Sequence, residues 1–217
     1  KNGVVMYGLL WVDDLVILTN NTEVRNSLVT FLRDKRKYTL TDKGTADWLL
    51  GIALTRDRPN RTITLSQQLY VQTVLERFRV YMDASNARSY DVPALDEINS
   101  FSQSQCPAEG SAEHLRMQPL HHVYMSIIGA LIWISSCTHP HLCVVTNVLS
   151  RFSINPAACH FAALIRVLLY LRKHPSDTLT LGGTGPDAEV LRIITDASHE
   201  DMRTPWKRSM RPACSCA

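Results

Sequence analysis

Apolar residues fill two short runs at the start of the chain, and two aspartates separate them. The runs are Val4 to Trp11 and Leu15 to Thr19, with Val12-Asp13-Asp14 between. Each run has the length and β-branched content of a buried strand, so the pattern predicts a hairpin with the carboxylates at its turn. A helix is expected from about Glu23 to Lys35, with Thr22 as N-cap, because Val24, Leu28, Phe31 and Leu32 fall on one face. Trp48 to Thr55 and Thr62 to Leu65 predict a second hairpin around Arg56-Asp57-Arg58-Pro59-Asn60-Arg61. Ser66 is placed to cap a helix reaching about Met82, with Tyr70, Val74 and Phe78 spaced by four.

Residues 83–120 are rich in Ser, Asn, Gln, Pro and Glu and read as a linker or long mobile loop. Helical spacing returns at His121, where Val123, Ile127, Leu131 and Ile134 form a stripe that Ile128 and Ile132 widen. Gly129 and Ala130 there would let another element approach closely. Pro140 suits the first position of the next helix, and Leu142, Val145, Val148, Leu149 and Phe152 give its apolar face. A third helix is marked by Phe161, Leu164, Ile165, Leu168 and Leu169. Short strands at 178–182 and 190–195 follow it. Neither repeats nor heptads are present.

Composition narrows the class without naming an activity. The 217 residues can bury one sizeable core or two small ones. A net charge of +3 gives no global nucleic-acid footprint, so any basic surface must be local. No uninterrupted apolar run reaches the roughly 18 residues of a membrane span, and no membrane partner is expected. Six scattered cysteines lack framework spacing and suggest reduced thiols in an intracellular protein, in cytoplasm or nucleus. The opening Lys1-Asn2-Gly3 enters a strand at once, as in a piece cut from something longer.

Two adjacent carboxylates on a hairpin tip suit a hard divalent cation, which takes oxygen ligands and is often held by one or two carboxylates plus substrate phosphates. Asp-Asp also simply favours a turn. The basic run Arg33 to Lys37 suits a solvated helix C-terminus. The arginines at 56, 58 and 61 fit phosphate contacts and a solvated turn equally well. Cys137, His139, His141 and Cys143 are possible zinc ligands, but Pro140 points to a helix start rather than the extended strand that would align all four.

Several motifs occur in one order. Trp11-Val12-Asp13-Asp14 resembles the YVDD box of reverse transcriptases, with Trp for Tyr. Leu40-Thr41-Asp42-Lys43-Gly44 with Trp48-Leu49-Leu50-Gly51-Ile52, and then Ile63-Thr64-Leu65-Ser66-Gln67-Gln68-Leu69-Tyr70, are similar to segments of the Ty1/copia group of retrotransposons. So are Ile127-Ile128-Gly129-Ala130-Leu131-Ile132-Trp133, Thr138-His139-Pro140-His141, Leu149-Ser150-Arg151-Phe152, Pro156 with His160, Leu169-Tyr170-Leu171-Arg172 and Thr195-Asp196-Ala197.

The resemblance implies an α+β fragment. Its parts would be a partial polymerase palm hairpin and thumb-like helix (1–82), the linker (83–120), a helical connection region (121–176) and a truncated RNase H-like start (177–217). Beyond Met210 the tail resembles nothing in the family, as a frameshift would produce. The resemblance further implies Asp13, Asp14 and Asp196 as catalytic ligands of Mg²⁺ or Mn²⁺, with Trp11 beside a primer end. Arg56, Arg58, Arg61, Gln67 and Gln68 would meet an RNA template and DNA primer duplex, and Gln72 and Arg79 could join them. Deoxynucleoside triphosphates would be substrates of the intact parent enzyme. The upstream metal-binding aspartate and the fingers belong to a preceding segment, so the chain is expected not to polymerise alone. The alternatives are a non-catalytic nucleic-acid-binding module and an inert retroelement remnant.

Overall fold

The computed structural model describes residues 3–87, 89–94 and 96–183. It divides after Leu50 into two units, each built on its own local logic, and both helices and strands are present, as an α+β chain requires.

The first unit begins with the expected hairpin, β1 (Met6–Trp11) and β2 (Asp14–Thr19), antiparallel with Met6 opposite Thr19 and Trp11 opposite Asp14. Asn20 closes the open end: its amide donates to the Val5 carbonyl (3.3 Å), and its side chain bridges Val5 N and Gly3 O. Helix α1 (Thr22–Thr30) follows. Its N-cap is Asn21, not Thr22; the Asn21 side-chain Oδ1 accepts from the amides of Glu23 (2.8 Å) and Val24 (3.1 Å). The helix then widens into a π-helical turn over Phe31–Lys35, so the single helix expected to Lys35 changes its winding at Phe31. Arg25 pairs with Asp42, whose carboxyl lies below the usual range, chiefly through the Gly44 amide and then through Arg25. The unit ends at β3 (Trp48–Leu49), and the backbone turns at Leu50 and Gly51, both with positive φ. That turn breaks the strand expected over 48–55. No described residue of this unit is fully buried.

The second unit opens with β4 (Ile52–Asp57) and β5 (Thr62–Ser66). β6 (Thr178–Gly182) pairs antiparallel with the other side of β5, Leu65 lying opposite Leu179. The helix expected from Ser66 to Met82 is two, α2 (Gln68–Arg77) and α3 (Arg79–Ala84), separated at Phe78 (φ −106°, ψ 14°). Ser66 Oγ accepts the Gln68 amide at 3.3 Å.

The stretch 83–120, expected as a linker, is folded. It contains short 3-10 turns and α4 (Ala112–Met117). Ile98 is buried in the core, Phe101 meets Phe152 and His160 edge-on, and Tyr90 lies under the Arg166 guanidinium at 3.8 Å. A few well-placed apolar residues are enough to anchor a polar segment.

Helices α5 (His121–Cys137), α6 (Cys143–Ser150) and α7 (Ala158–Lys173) form the expected helical region. Their faces meet α2 and α3 in one core that includes Val71, Val74, Met82, Tyr124, Ile127, Leu131, Leu149, Leu164 and Leu168. Pro140 opens a 3-10 turn that leads into α6, as its fixed φ predicts. The Tyr124 hydroxyl donates to the Leu149 carbonyl at 2.8 Å and ties α5 to α6. Together α4, the turn after it and α5 make the one described helical stretch, Ala112–Cys137, with the length and hydropathy of a membrane span. Seven of the seventeen α5 residues are nonetheless buried against the core.

Candidate metal centre and nucleic-acid interface

The tip of the first hairpin is tighter than the sequence suggests. Asp14 is already the first residue of β2, so the turn is only Val12 and Asp13. Two-residue hairpin turns need positive φ at their first position and favour Gly or Asn there. Here Val12 takes φ +49° while 81% exposed. A β-branched residue in that region is strained by roughly 1–3 kcal/mol, and such strain collects where function needs a fixed geometry. Relief is testable: Val12→Gly is expected to stabilise the hairpin by about 1 kcal/mol, since glycine's greater unfolded freedom takes back part of the relief. Amide exchange of β1 and β2 reads this out, and unchanged or faster exchange would contradict it.

Asp13 and Asp14 are both exposed, and Trp11, 58% exposed, stands opposite Asp14 at the end of β1. Two adjacent exposed carboxylates fit a cation that retains waters and takes further oxygens from phosphates. Among the described residues no group of three or more His, Cys, Asp or Glu side chains is placed to hold a metal. The tip therefore offers a partial donor set. Asp196 and the strand expected at 190–195 lie outside the described residues, as does the C-terminal tail.

The zinc alternative finds no support. His139 is fully buried and its Nδ1 lies 2.7 Å from Thr138 Oγ1. His141 Nε2 lies 3.1 Å from the Tyr170 hydroxyl, and Cys143 donates to the Ser135 carbonyl. The 3-10 turn at Pro140 sends these side chains to different partners. Burial, and then His141, hold the His139 imidazole below its ordinary pKa.

The end of β4 and the turn into β5 present Arg56, in the strand, and Arg58 and Arg61, in the turn, all exposed. Asp57 orders it by accepting from the Asn60 amide (3.1 Å) and side chain (2.7 Å), which also lower its pKa. Arg61 takes φ +53°, its amide donates to Arg58 O, and its own carbonyl accepts from Gly183 N at 3.2 Å. Three guanidinium groups are thus carried by an ordered backbone rather than a loose loop.

The glutamines separate. Gln68 is exposed at the start of α2, but Gln67 is 1% exposed, and its Oε1 accepts from the Thr138 hydroxyl at 2.8 Å. Gln67 therefore leaves the list of duplex contacts and becomes a structural tie between the end of β5 and the end of α5. Gln72 and Arg79 are exposed, with Arg79 near Glu76 at 3.5 Å.

One surface goes beyond the residues expected from sequence. The exposed face of α5 carries His122, Met125, Gly129, Ile132, Trp133 and Ser136, with no charged side chain. A Cβ added at Gly129 would meet nothing within 4 Å, so the helix backbone itself is open there. The signal was in the sequence: α5 is apolar on more faces than one core can cover.

Comparison with known proteins adds descent. The chain is 32% identical over 190 residues to a retrovirus-related Pol polyprotein from transposon TNT 1-94 of Nicotiana tabacum, covering 87% of this chain and 13% of that protein. It is 26% identical over 202 residues to the putative transposon Ty5-1 protein YCL074W of Saccharomyces cerevisiae, covering 89% of this chain and 57% of the relative. A 49-residue segment is 41% identical to secreted RxLR effector protein 161 of Plasmopara viticola, covering 23% of this chain and 34% of that protein. No protein-family model matches the chain, and no solved structure matches it. These relatives support a retrotransposon-derived protein, and the chain spans only part of the polyproteins it matches.

Proposed function

We propose that this chain is the later part of the polymerase region of a Ty1/copia-type reverse transcriptase, with Asp13 and Asp14 as ligands for Mg²⁺ or Mn²⁺. The observation that carries the reading is the strained hairpin tip that leaves Asp13, in its two-residue turn, and Asp14, at the head of β2, both exposed. A bound divalent cation would supply charge stabilisation at phosphate oxygens. Asp13 and Asp14 would hold that cation, and Trp11 would border the primer end. The arginine turn, with Gln68 at the start of α2, would grip duplex phosphates. A further carboxylate and the nucleotide pocket would come from another part of the polyprotein, so RNA-directed DNA synthesis is proposed for the assembled parent enzyme. Asp196 is proposed as the first ligand of an RNase H-like site.

The test pairs binding with extension. The 217-residue chain is expected to bind an RNA–DNA duplex with affinity that falls as salt rises, and to extend no primer with Mg²⁺ or Mn²⁺. Replacing Arg56, Arg58 and Arg61 by Gln should flatten the log–log salt slope by about 2–3, close to one unit per phosphate contact. No duplex binding at low salt would sink the polymerase reading. Extension that vanishes in Asp13→Asn would keep the reading but show that the metal site is complete here.

A further inference from the structure

Among the described residues, the first hairpin has an unpaired edge, along β1, whose chemistry selects its partner. Asn20 donates its amide to Val5 O, so Val5, Tyr7, Leu9 and Trp11 turn their backbone groups toward β2. By the alternation of antiparallel ladders, Met6, Gly8 and Leu10 then turn theirs outward. Every β1 residue is exposed, with Tyr7 at 68% and Leu10 at 69%, whereas β2 is half-covered where α1 lies against it. The edge has none of the usual protections, having no charge, proline or bulge between Met6 and Trp11. Its only glycine sits in the middle, and a side chain there would meet nothing within 4 Å.

We infer that β1 pairs antiparallel with β1 of a second copy of this chain, about a two-fold axis at Gly8. Backbone geometry sets the register. Outward-facing residues must pair with outward-facing ones, and the register that pairs all three of them puts Gly8 opposite Gly8 of the other copy and Met6 opposite its Leu10. Tyr7 then faces Leu9 across the axis, so every cross-strand pair is apolar or glycine. Charge sets the direction. Antiparallel pairing places the two Asp13-Asp14 tips at opposite ends, roughly 35 Å apart by strand rise. Parallel pairing would bring four carboxylates side by side. The contact leaves both carboxylate tips open and is independent of the polymerase reading.

Sedimentation velocity on the whole chain, from about 1 to about 100 µM, tests the assembly in the range where modest interfaces dissociate. A monomer–dimer equilibrium is expected, with Leu10→Lys raising Kd at least about tenfold by charging the edge. Leu69→Lys, on an exposed position of α2, should leave it unchanged. Cross-linking tests the register. Gly8→Cys chains should join through their introduced thiols under mild oxidation, because facing residues of a bonded pair lie about 5.5 Å apart. Tyr7→Cys thiols should not, because their Cα atoms would be about 8 Å apart. Peptide mapping separates these links from those of the native cysteines. A monomer throughout would mean that the edge serves another protein or none. That result would overturn the inference, as would a dimer indifferent to Leu10→Lys, larger assemblies, or equal cross-linking at positions 7 and 8.

Discussion

Acidification from pH 7 to about 4.5 is expected to weaken the helical unit by about 3 kcal/mol, and His160→Gln is expected to remove much of that loss. His160 is fully buried at the start of α7. Its Nδ1 accepts from the Ala157 amide at 3.1 Å, and its ring stacks on Phe152 with centroids 3.8 Å apart. Its Nε2 is buried without a hydrogen-bond partner among the described residues. Burial pushes the pKa from 6.5 to about 4, and Glu113 opposes this only in part. The unfolded chain therefore takes up a proton below pH 6.5 that the folded chain refuses until about pH 4. The stabilisation is full above 6.5 and drains away through that window. His139, lowered in the same direction by burial, adds to the slope and remains in the variant. Glutamine at the third position of a helix can reach back to the same amide, so His160→Gln keeps the cap and loses the titration. Denaturant midpoints of the helical circular dichroism at the two pH values decide it. Parallel pH dependences in parent and variant would show that the proton is taken up elsewhere.

Local patterns carried well and distant partners did not. Two carboxylates inside an apolar run pointed to a turn, and the hairpin is there, with Asp13 in the turn and Asp14 opening β2. The α5 and α7 stripes bury most of the residues their spacing selects, because a helix face follows from its own period, but Ile132, expected to widen the α5 stripe, lies on the open face. Gln67 looked like one of several polar side chains on a wet helix face. Its partner is Thr138, far along the chain, and no local pattern points to that hydrogen bond. The 83–120 stretch misled for a related reason. Its average polarity hid Ile98 and Phe101, which hold it to the core. The break at Phe78 was hidden by regular spacing on both sides, since two helices in line bury much the same face as one. At the candidate site the sequence identified the carboxylates and arginines. It could not show that Val12 takes a left-handed conformation or that a returning strand braces the arginine turn.

That bracing makes Gly182→Ala the most informative single substitution for the interface. Gly182 ends β6 with φ +94°, and a Cβ there would lie on the Arg61 carbonyl oxygen, well inside van der Waals contact. The same carbonyl accepts from Gly183 N at 3.2 Å. The obstruction is backbone, so no side chain can swing aside. Alanine must either hold the strained φ, at about 1–3 kcal/mol, or pull the strand end away and lose a hydrogen bond worth about 1 kcal/mol. The expected local cost is therefore about 1–3 kcal/mol. Because the core helices do not depend on Gly182, the global melt should move little. Amide exchange should instead quicken at Thr180 to Gly183 and at Arg61 to Thr64, across the β5–β6 ladder. The proposed duplex grip then adds its own consequence. If Arg56, Arg58 and Arg61 act together because their turn is ordered, Gly182→Ala should weaken duplex binding without removing a single charge. Weakened binding with an unchanged salt slope would point to loss of order in the turn. Faster exchange with unchanged binding would show that the arginines need no ordered backbone, and the turn would be only a charged, solvated loop.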